Sequence, residues 1–549
     1  MLDLENVNTK EDIIKEFFSW LFDNYRIKNY SIALQKETDL TLVKDYNDPN
    51  IYFPNQIYDF FQTQAMKRLG RVGQLFFTVN IFPNTYHNRL EHSKGVYNRK
   101  VEEFIYNFQQ PEWKNFIESN DLKLTLIAEL IKVAGHDIGH FPLSHAFEEQ
   151  VFQTHGAHEI IGQRLMLENP EIQSVLLSIS DDLPEVLSSL YSKPVLNFPA
   201  HDESSYDVDR LDYVSRDALY KGNPISLHTA KYSSTPRLST TDSFVDVYDK
   251  ESIANIEELL KKRNEFYSSL YMSESEQSLE CAVGAFFNVL LDSSFPESGS
   301  SQKLPLYLRY LKSVGINGVN LDDFLKWDDV SLYSEIFDIA EDCPDSNIRQ
   351  LATLTIPKLD SFFNILYSHL DCKNTHSYSN EDLQFLSHIK SLLKGNSTLI
   401  RDLTNPNFLN DNIVFLTHSP LKDDLAKRGL ISSFSYKFKT YNPNEPVYVE
   451  DDTSKFVELS DSPKSTIDWE NSKKLFSYNF AYIPFLRFKG LSDAEISSIR
   501  ASGVRPDIKT SHSAKVNMSP LSVEHSVRDY FKNMDIDEGE EKRINMSEL

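Results

Sequence analysis

Cysteine is nearly absent from this chain. Its three residues, Cys281, Cys343 and Cys372, are scattered and form neither a CxxC pair nor a disulfide framework. That excludes a small disulfide scaffold and a thiolate metal cluster, and it suits a reducing compartment. Glycine is sparse as well, 17 among 549 residues, and the longer apolar runs have helical rather than alternating spacing. Both favour a mainly α chain. No apolar run approaches the roughly 20 residues that span a bilayer, so no membrane partner is expected. The opening MLDLENVNTKED lacks the basic and apolar regions of a signal peptide, which points to a soluble, cytoplasmic protein. Positive charge is in deficit too: 56 Lys and Arg against 81 Asp and Glu, a net −25. An acidic surface repels phosphate backbones and disfavours a dedicated nucleic-acid binder. A small anionic substrate is compatible with it only where a pocket gathers its own cations.

What is present is a long series of amphipathic segments. Apolar spacing predicts helices over 9–23, 57–69, 91–108, 121–139, 144–153, 158–167, 171–179, 183–191, 204–221, 250–271 and 275–293. Residues 30–45 alternate and predict a strand pair. An Asp/Glu-punctuated helical region runs on through about 305–396 without a legible motif. From about 412, NIVFLTHSP, YKFKTY, VYVEDDTSKFVELS and KLFSYNFAYIPFLRF alternate β-branched and aromatic residues, the pattern of strands. The expected organisation is an N-terminal extension (1–50), a main helical domain (51–300), a helical region (301–410), a small α/β lobe (411–490) and a polar C-terminal segment (491–549). That segment ends in an acidic tail, MDIDEGEEKRINMSEL, with the composition of disorder.

Chemistry concentrates in residues 131–148, IKVAGHDIGHFPLSHAFE. Here His136, Asp137, His140, His145 and Glu148 fall within thirteen residues. The run LTLIAELIKVAG before them is apolar on nearly every face, so the helix is expected to be buried. A buried His-Asp doublet needs a partner, because an unpaired charge in a core is expensive. A metal ion meets that need. His92, at the start of the 91–108 helix, and Asp209, in SYDVDRLDYVSRD, complete a two-His, two-Asp set drawn from three helices. Helical bundles build metal sites in this way. Taken singly, His92 reads as an ordinary core histidine and Asp209 as a solvated helix acid; the metal reading rests on the set. Mixed nitrogen and oxygen donors suit a divalent ion such as Mn, Fe, Mg, Zn or Ni.

Longer motifs surround these residues: HNRLEHSKGV, AGHDIGHFPLSHAFE, AHE at 157–159 and YDVDRLDYVSRDALYKG. Together they resemble the HD-domain deoxynucleotide triphosphohydrolases, which include the bacterial dGTPases and the animal dNTPase that pairs a SAM domain with its HD domain. The resemblance is firm to about Gly222, traceable again at Arg263 to Tyr271 and at 446–466, and no SAM domain precedes it. It implies an HD-domain helical bundle with a small C-terminal α/β lobe. It also implies metal ligation by His92, His136, Asp137 and Asp209. His140, Glu148 and His158 are placed at the α-phosphate as the acid/base group, with His145 lining the pocket. Arg89, Arg210 and Arg263 match phosphate cations, Gln74 and Asp217 match holders of the sugar 3′-hydroxyl, and Leu75 and Tyr271 match residues that press on the sugar. Tyr213 and Asp207 match pocket positions. Asp212 and Arg216 read as a local ion pair on a helix face.

The chain also departs from the family pattern. Met272 stands where the dNTPase has a glutamine. Gln62, Lys67 and Gly70 stand at places that build a second guanine-nucleotide site in the animal enzyme. Neither base preference nor that site carries over. The implied activity is metal-dependent hydrolysis of a dNTP to deoxynucleoside and inorganic triphosphate, by a homo-oligomer. The alternatives are an HD phosphohydrolase for another nucleotide, such as a monophosphate or alarmone, or a non-enzymatic nucleotide sensor.

Overall fold

A computed structural model describes residues 10–22, 40–356 and 411–503, apart from 46, 49, 76, 79–84, 86, 155, 193–195, 198–204, 226, 228–236, 239–243, 246, 297–301, 443, 451–454 and 468–472. The helix Lys123–Ala134, KLTLIAELIKVA, is the axis of the core. Leu126, Ile127, Ala128, Leu130, Ile131, Val133 and Ala134 are all fully buried. It packs against Arg89–Phe108, Leu183–Ser192 and Lys10–Phe22. The Arg89–Phe108 helix begins where Asn88 accepts a hydrogen bond from the Glu91 amide at 3.0 Å, an N-cap that fixes its first turn. Val96, Val133 and Val208 form a small separate cluster. Each lies within four residues of His92, His136 or Asp209, so three valines lock together the segments that carry the metal candidates. Full burial of each contributes about 2 kcal/mol.

The central helix ends at Ala134, short of the expected 139. After Gly135 the backbone bonds shorten from i−4 to i−3, with Ile138 to Gly135 and His140 to Asp137 both at 3.1 Å. His136 takes the Val133 carbonyl with its own ring at 2.8 Å, which diverts that acceptor from the helical ladder. This turn lies against Ala157–Glu168. A Cβ at Gly139 would run into the His158 carbonyl and the Gly162 amide, so glycine is what allows His158 to reach His140.

Other boundaries move for local reasons. The expected 57–69 helix breaks at extended Thr63, whose hydroxyl donates to the Phe60 carbonyl at 2.8 Å, leaving Asn55–Gln62 and Gln64–Arg68. The Ile253–Phe266 helix widens into a π turn at Tyr267–Tyr271. In the region 30–45, Leu40–Val43 pairs with Ile51–Pro54; the rest falls outside the described residues, except Lys44 and Asp45.

The helices Lys303–Val314, Asp329–Asp342 and Ser346–Leu354 contribute Leu304, Leu308, Leu332, Ile336 and Leu351 to the main core. The C-terminal strands fall into two sheets. Ile413–Phe415, Lys473–Tyr482 and Ser432–Lys439 form one antiparallel sheet with Lys473–Tyr482 in the middle. Tyr448–Glu450 instead pairs with Phe456–Glu458 and, in parallel, with Val247–Tyr248. Val447, Val449 and Leu459 are drawn there by the apolar cluster of Tyr206, Leu211 and Leu260. Within the polar C-terminal segment Asp493–Ser502 is a helix with a Ser492–Glu495 capping box. Cys372 and the acidic tail lie outside the described residues. No described helix is long and apolar enough to cross a membrane.

Candidate metal centre and active site

Three donor atoms converge at the C-terminal end of the central helix. His92 Nε2 lies 2.9 Å from Asp209 Oδ1 and 3.2 Å from His136 Nε2, and His136 Nε2 lies 3.4 Å from Asp209 Oδ1. Asp137 joins them, with its oxygens 3.4 Å from His136 Nε2 and 3.8 Å from His92 Nε2. Ligands held about 2.1 Å from one ion sit roughly 3.0–3.4 Å apart. His92, His136 and Asp209 therefore have the spacing to share a single divalent ion, and Asp137 stands beside them with Oδ1 within that range of His136 and Oδ2 farther from His92.

The outer hydrogen bonds fix which ring nitrogens face inward. His136 Nδ1 is committed to the Val133 carbonyl and His92 Nδ1 to Asp212 at 2.8 Å, so both Nε2 atoms point to the centre. Asp212 is held in turn by Arg216 Nε at 2.8 Å, and Arg216 by Asp45 at 3.0 and 3.1 Å. The local ion pair expected for Asp212 and Arg216 forms, and it is fully buried as a brace for His92. Its signal was in the sequence: 212 and 216 follow the candidate ligand Asp209 at helical spacing. Burial would lower His92, yet Asp209 and Asp212 outweigh it and push the ring up to about 10. Burial would likewise raise Asp209, and the two histidines hold it well below the usual range.

Beside this set stands a wall of imidazoles. His158 Nδ1 bonds Glu148 Oε2 at 2.9 Å, while His140 Nδ1 stands 3.5 Å from Glu148 Oε1 without a hydrogen bond. The His140 and His158 rings stack 4.0 Å apart and 12° from parallel, with exposed His145 edge-on at 5.1 Å from each. These residues have the composition of a second metal group. The stacking argues otherwise, since the in-plane lone pairs of two parallel rings do not converge on one ion. His140 Nε2 instead reaches Asp137 Oδ1 at 3.1 Å. Burial, then Arg89 and His158, push His140 down to about 4.

The three arginines differ in what they hold. Arg89 Nη1 bonds Asp137 at 2.5 Å and its Nε bonds Ser144 Oγ at 3.0 Å. Arg210 bonds Asp207 at 2.7 Å and Glu445 at 2.9 Å. Asp207 also caps the Val208–Tyr220 helix. Arg263 donates to the Tyr213 hydroxyl at 2.7 Å and the Tyr267 hydroxyl at 3.4 Å, and lies 5.1 Å over the Tyr267 and Phe438 rings. Its hydrogen-bond partners are neutral, so its charge is the one most open to phosphate. Glu445, 235 residues of sequence away from Arg210, had no signal of its own. If Glu445 competes with phosphate for Arg210, Glu445→Gln should tighten binding of inorganic triphosphate about fivefold, worth ~1 kcal/mol at a partly exposed pair. Calorimetric titration checks this, and an unchanged Kd would show no competition.

The residues matched to the sugar gather on the far side. Tyr271 donates to Asp217 Oδ2 at 2.6 Å, and His87 Nε2 holds Oδ1 at 2.8 Å. The Gln74 amide donates to the His87 carbonyl at 3.0 Å, which links Gln74 to Asp217 through His87. Sequence reasoning missed His87, a fully buried ring stacked 4.4 Å from Tyr220. Leu75, Tyr213 and Tyr271 pack on the same apolar cluster. Met272 offers its carbonyl to Tyr478 of the C-terminal sheet at 3.1 Å.

No protein-family model matches the chain. It is 28% identical over 259 residues to the deoxynucleoside triphosphate triphosphohydrolase SAMHD1 homolog of Dictyostelium discoideum, covering 45% of this chain and 48% of that protein. It is 26% identical over 245 residues to a putative HD domain-containing protein of Acanthamoeba polyphaga mimivirus, covering 42% and 53%. These similarities support kinship with HD-domain proteins of the dNTPase type. In both relatives the match spans about half their length. The helical fold is shared with a solved phosphohydrolase of Bacteroides thetaiotaomicron, at a TM-score of 0.54 and 17% identity, over 81% of this chain and 99% of that one.

Proposed function

We propose that this HD-domain protein is a metal-dependent phosphohydrolase that cleaves dNTPs at the α-phosphorus, releasing deoxynucleoside and inorganic triphosphate. The observation that carries the proposal is the place of Asp137. One carboxylate stands 3.4 Å from His136, 3.1 Å from His140 and 2.5 Å from Arg89. Metal donors, imidazole wall and one phosphate-binding arginine thus meet at a single residue. A divalent ion on His92, His136, Asp137 and Asp209 would polarise a phosphate oxygen and lower the pKa of a bound water. Arg263 neutralises the polyphosphate, and Arg89 and Arg210 orient it. Glu148 fixes the tautomer of His158, whose Nε2 then handles the proton that the departing 5′-oxygen requires. Tyr271 and Leu75 close over the sugar, with Asp217 and Gln74 set to bind its 3′-hydroxyl.

The relatives support a hydrolase; the dNTP substrate and the homo-oligomer belong to the proposal. Metal-loaded protein incubated with each of the four dNTPs tests the chemistry. Release of intact triphosphate is the expected result, and orthophosphate as the sole inorganic product overturns it.

A further inference from the structure

The region 301–356 carries no legible motif, yet it sends one carboxylate into the site. Asp329 opens the Asp329–Asp342 helix and is 1% exposed. Its Oδ2 accepts the Gly73 amide at 2.7 Å and its Oδ1 accepts the Leu143 amide at 2.8 Å. Gly73 precedes Gln74 and Leu75; Leu143 lies between His140 and His145. Both oxygens are therefore spent on backbone amides of two separate site loops, and among the described residues no lysine or arginine forms an ion pair with Asp329. Two residues earlier, the Trp327 carbonyl accepts Arg68 Nε at 2.6 Å, and Arg68 Nη2 donates to the His140 carbonyl at 2.7 Å. Arg68 is itself fully buried.

What this clamp holds is strained. Leu143 and Ser144 adopt φ of +62° and +50°, a left-handed region that side chains with a Cβ rarely occupy. Two such residues in succession persist only when their surroundings over-determine them. The outcome of the turn is the placement of Ser144 Oγ against Arg89 Nε, and Arg89 is the residue bonded to Asp137. We infer that Asp329, acting with Arg68, is a positioning residue that holds the 140–144 turn in its strained form and thereby aims Arg89 and His140. The inference rests on the hydrolytic reading for its catalytic consequence alone. A carboxylate is needed there because an asparagine offers one acceptor where two amides must be met.

The test uses the full chain with metal bound, and the variants Asp329→Asn, Ser144→Gly and their combination. Asp329→Asn is expected to lower Tm by at least about 3 °C and to cut kcat at least about tenfold, with metal stoichiometry unchanged. Ser144→Gly relieves the strain but removes the Arg89 contact. In the Asp329→Asn background it is expected to recover part of the lost Tm and none of the lost kcat. Additive Tm shifts in the double variant, or full kcat in a folded Asp329→Asn protein, overturn the inference. Hydrogen exchange separates this question from the activity. Amides of Leu143 and Gly73 should exchange as slowly as those of the central helix, and Asp329→Asn should release them selectively. Fast exchange at Leu143 in the unaltered protein overturns the clamp even if Asp329→Asn does not fold. Protected amides in a protein without hydrolytic activity leave the clamp intact and remove the hydrolytic reading instead.

Discussion

Asp137→Asn is expected to strip the metal and lower turnover by about 10³-fold or more, the several kcal/mol that a polarising ion supplies. The side chain works in three directions at once, toward His136, His140 and Arg89. The amide keeps the shape but loses the charge, so Arg89 keeps its place while the ion loses an anionic ligand. Alanine is the harsher change. It removes the hydrogen-bond acceptor as well as the charge, leaving the buried Arg89 guanidinium with nothing in the place of the carboxylate, at a cost of about 3–5 kcal/mol. Metal content by mass spectrometry and Tm therefore separate the two variants: both lose the ion, and Asp137→Ala alone loses much of its stability. Metal retained at full occupancy in Asp137→Asn would remove Asp137 from the ligand set.

The same site sets a pH dependence. His92 is raised from its ordinary 6.5 to about 10, so a proton and a metal ion compete for one nitrogen. Binding must release that proton, and apparent metal affinity should rise about tenfold per pH unit between pH 7 and 9. The sign for stability follows from linkage. In protein stripped of metal, the His92 contribution is complete below pH 6.5 and is lost as pH rises through about 10. His140, lowered to about 4, contributes in the opposite sense, and its share is lost as pH falls from 6.5 to about 4. As far as these two groups govern it, metal-stripped protein is most stable near pH 6.5. Saturating metal should abolish the alkaline loss, because the ion replaces the proton on His92. Thermal melts across pH 5–9 with and without chelator measure both limbs, and identical alkaline limbs would show that the ion does not bind His92.

How far the sequence revealed this site depended on where each partner lay. His136 and Asp137 stood out as candidates because an apolar helix leads straight into them, and His92 and Asp209 because each lies in the first turn of a helix with a clear apolar face. The His92–Asp212–Arg216–Asp45 brace was only half visible. Helical spacing links 209, 212 and 216, but Asp45 comes from a strand end about 170 residues earlier, and no local pattern reports such a contact. Glu445 and Asp329 were invisible for the same reason. Each is an ordinary acid in an acidic stretch, and each acquires its role only when the chain returns to residues far earlier in the sequence. The C-terminal segment misled in a different way. Alternation identified its strands, yet period-two spacing says nothing about partners, and Val447 and Val449 found their apolar cluster beside Val247–Tyr248. The helix boundary at 134 was hidden because His136 competes for a carbonyl with its side chain, which apolar periodicity does not record.

The second large effect is expected at His158. His158→Ala should lower kcat by about 10²–10⁴-fold, the range for loss of a positioned acid or base, while metal content and KM change little. Glu148→Gln should cost less, roughly 10–100-fold, since it leaves the ring but loosens its tautomer. The order matters because the two stacked rings are not equivalent. Glu148 bonds His158 at 2.9 Å, whereas His140 stands 3.5 Å from it and leans on Asp137. A proton-handling role for His158 therefore predicts that His158→Ala and Glu148→Gln are not additive, because the carboxylate acts through the ring. The competing arrangement is a second ion held by His140, His145, Glu148 and His158. It predicts instead that each substitution lowers metal stoichiometry in step with activity. Parallel rings 4.0 Å apart weigh against that arrangement. Metal counted per protein in His158→Ala decides between them: unchanged stoichiometry with slow turnover supports proton transfer, and a proportional loss of ion would reassign the wall from acid/base chemistry to ligation.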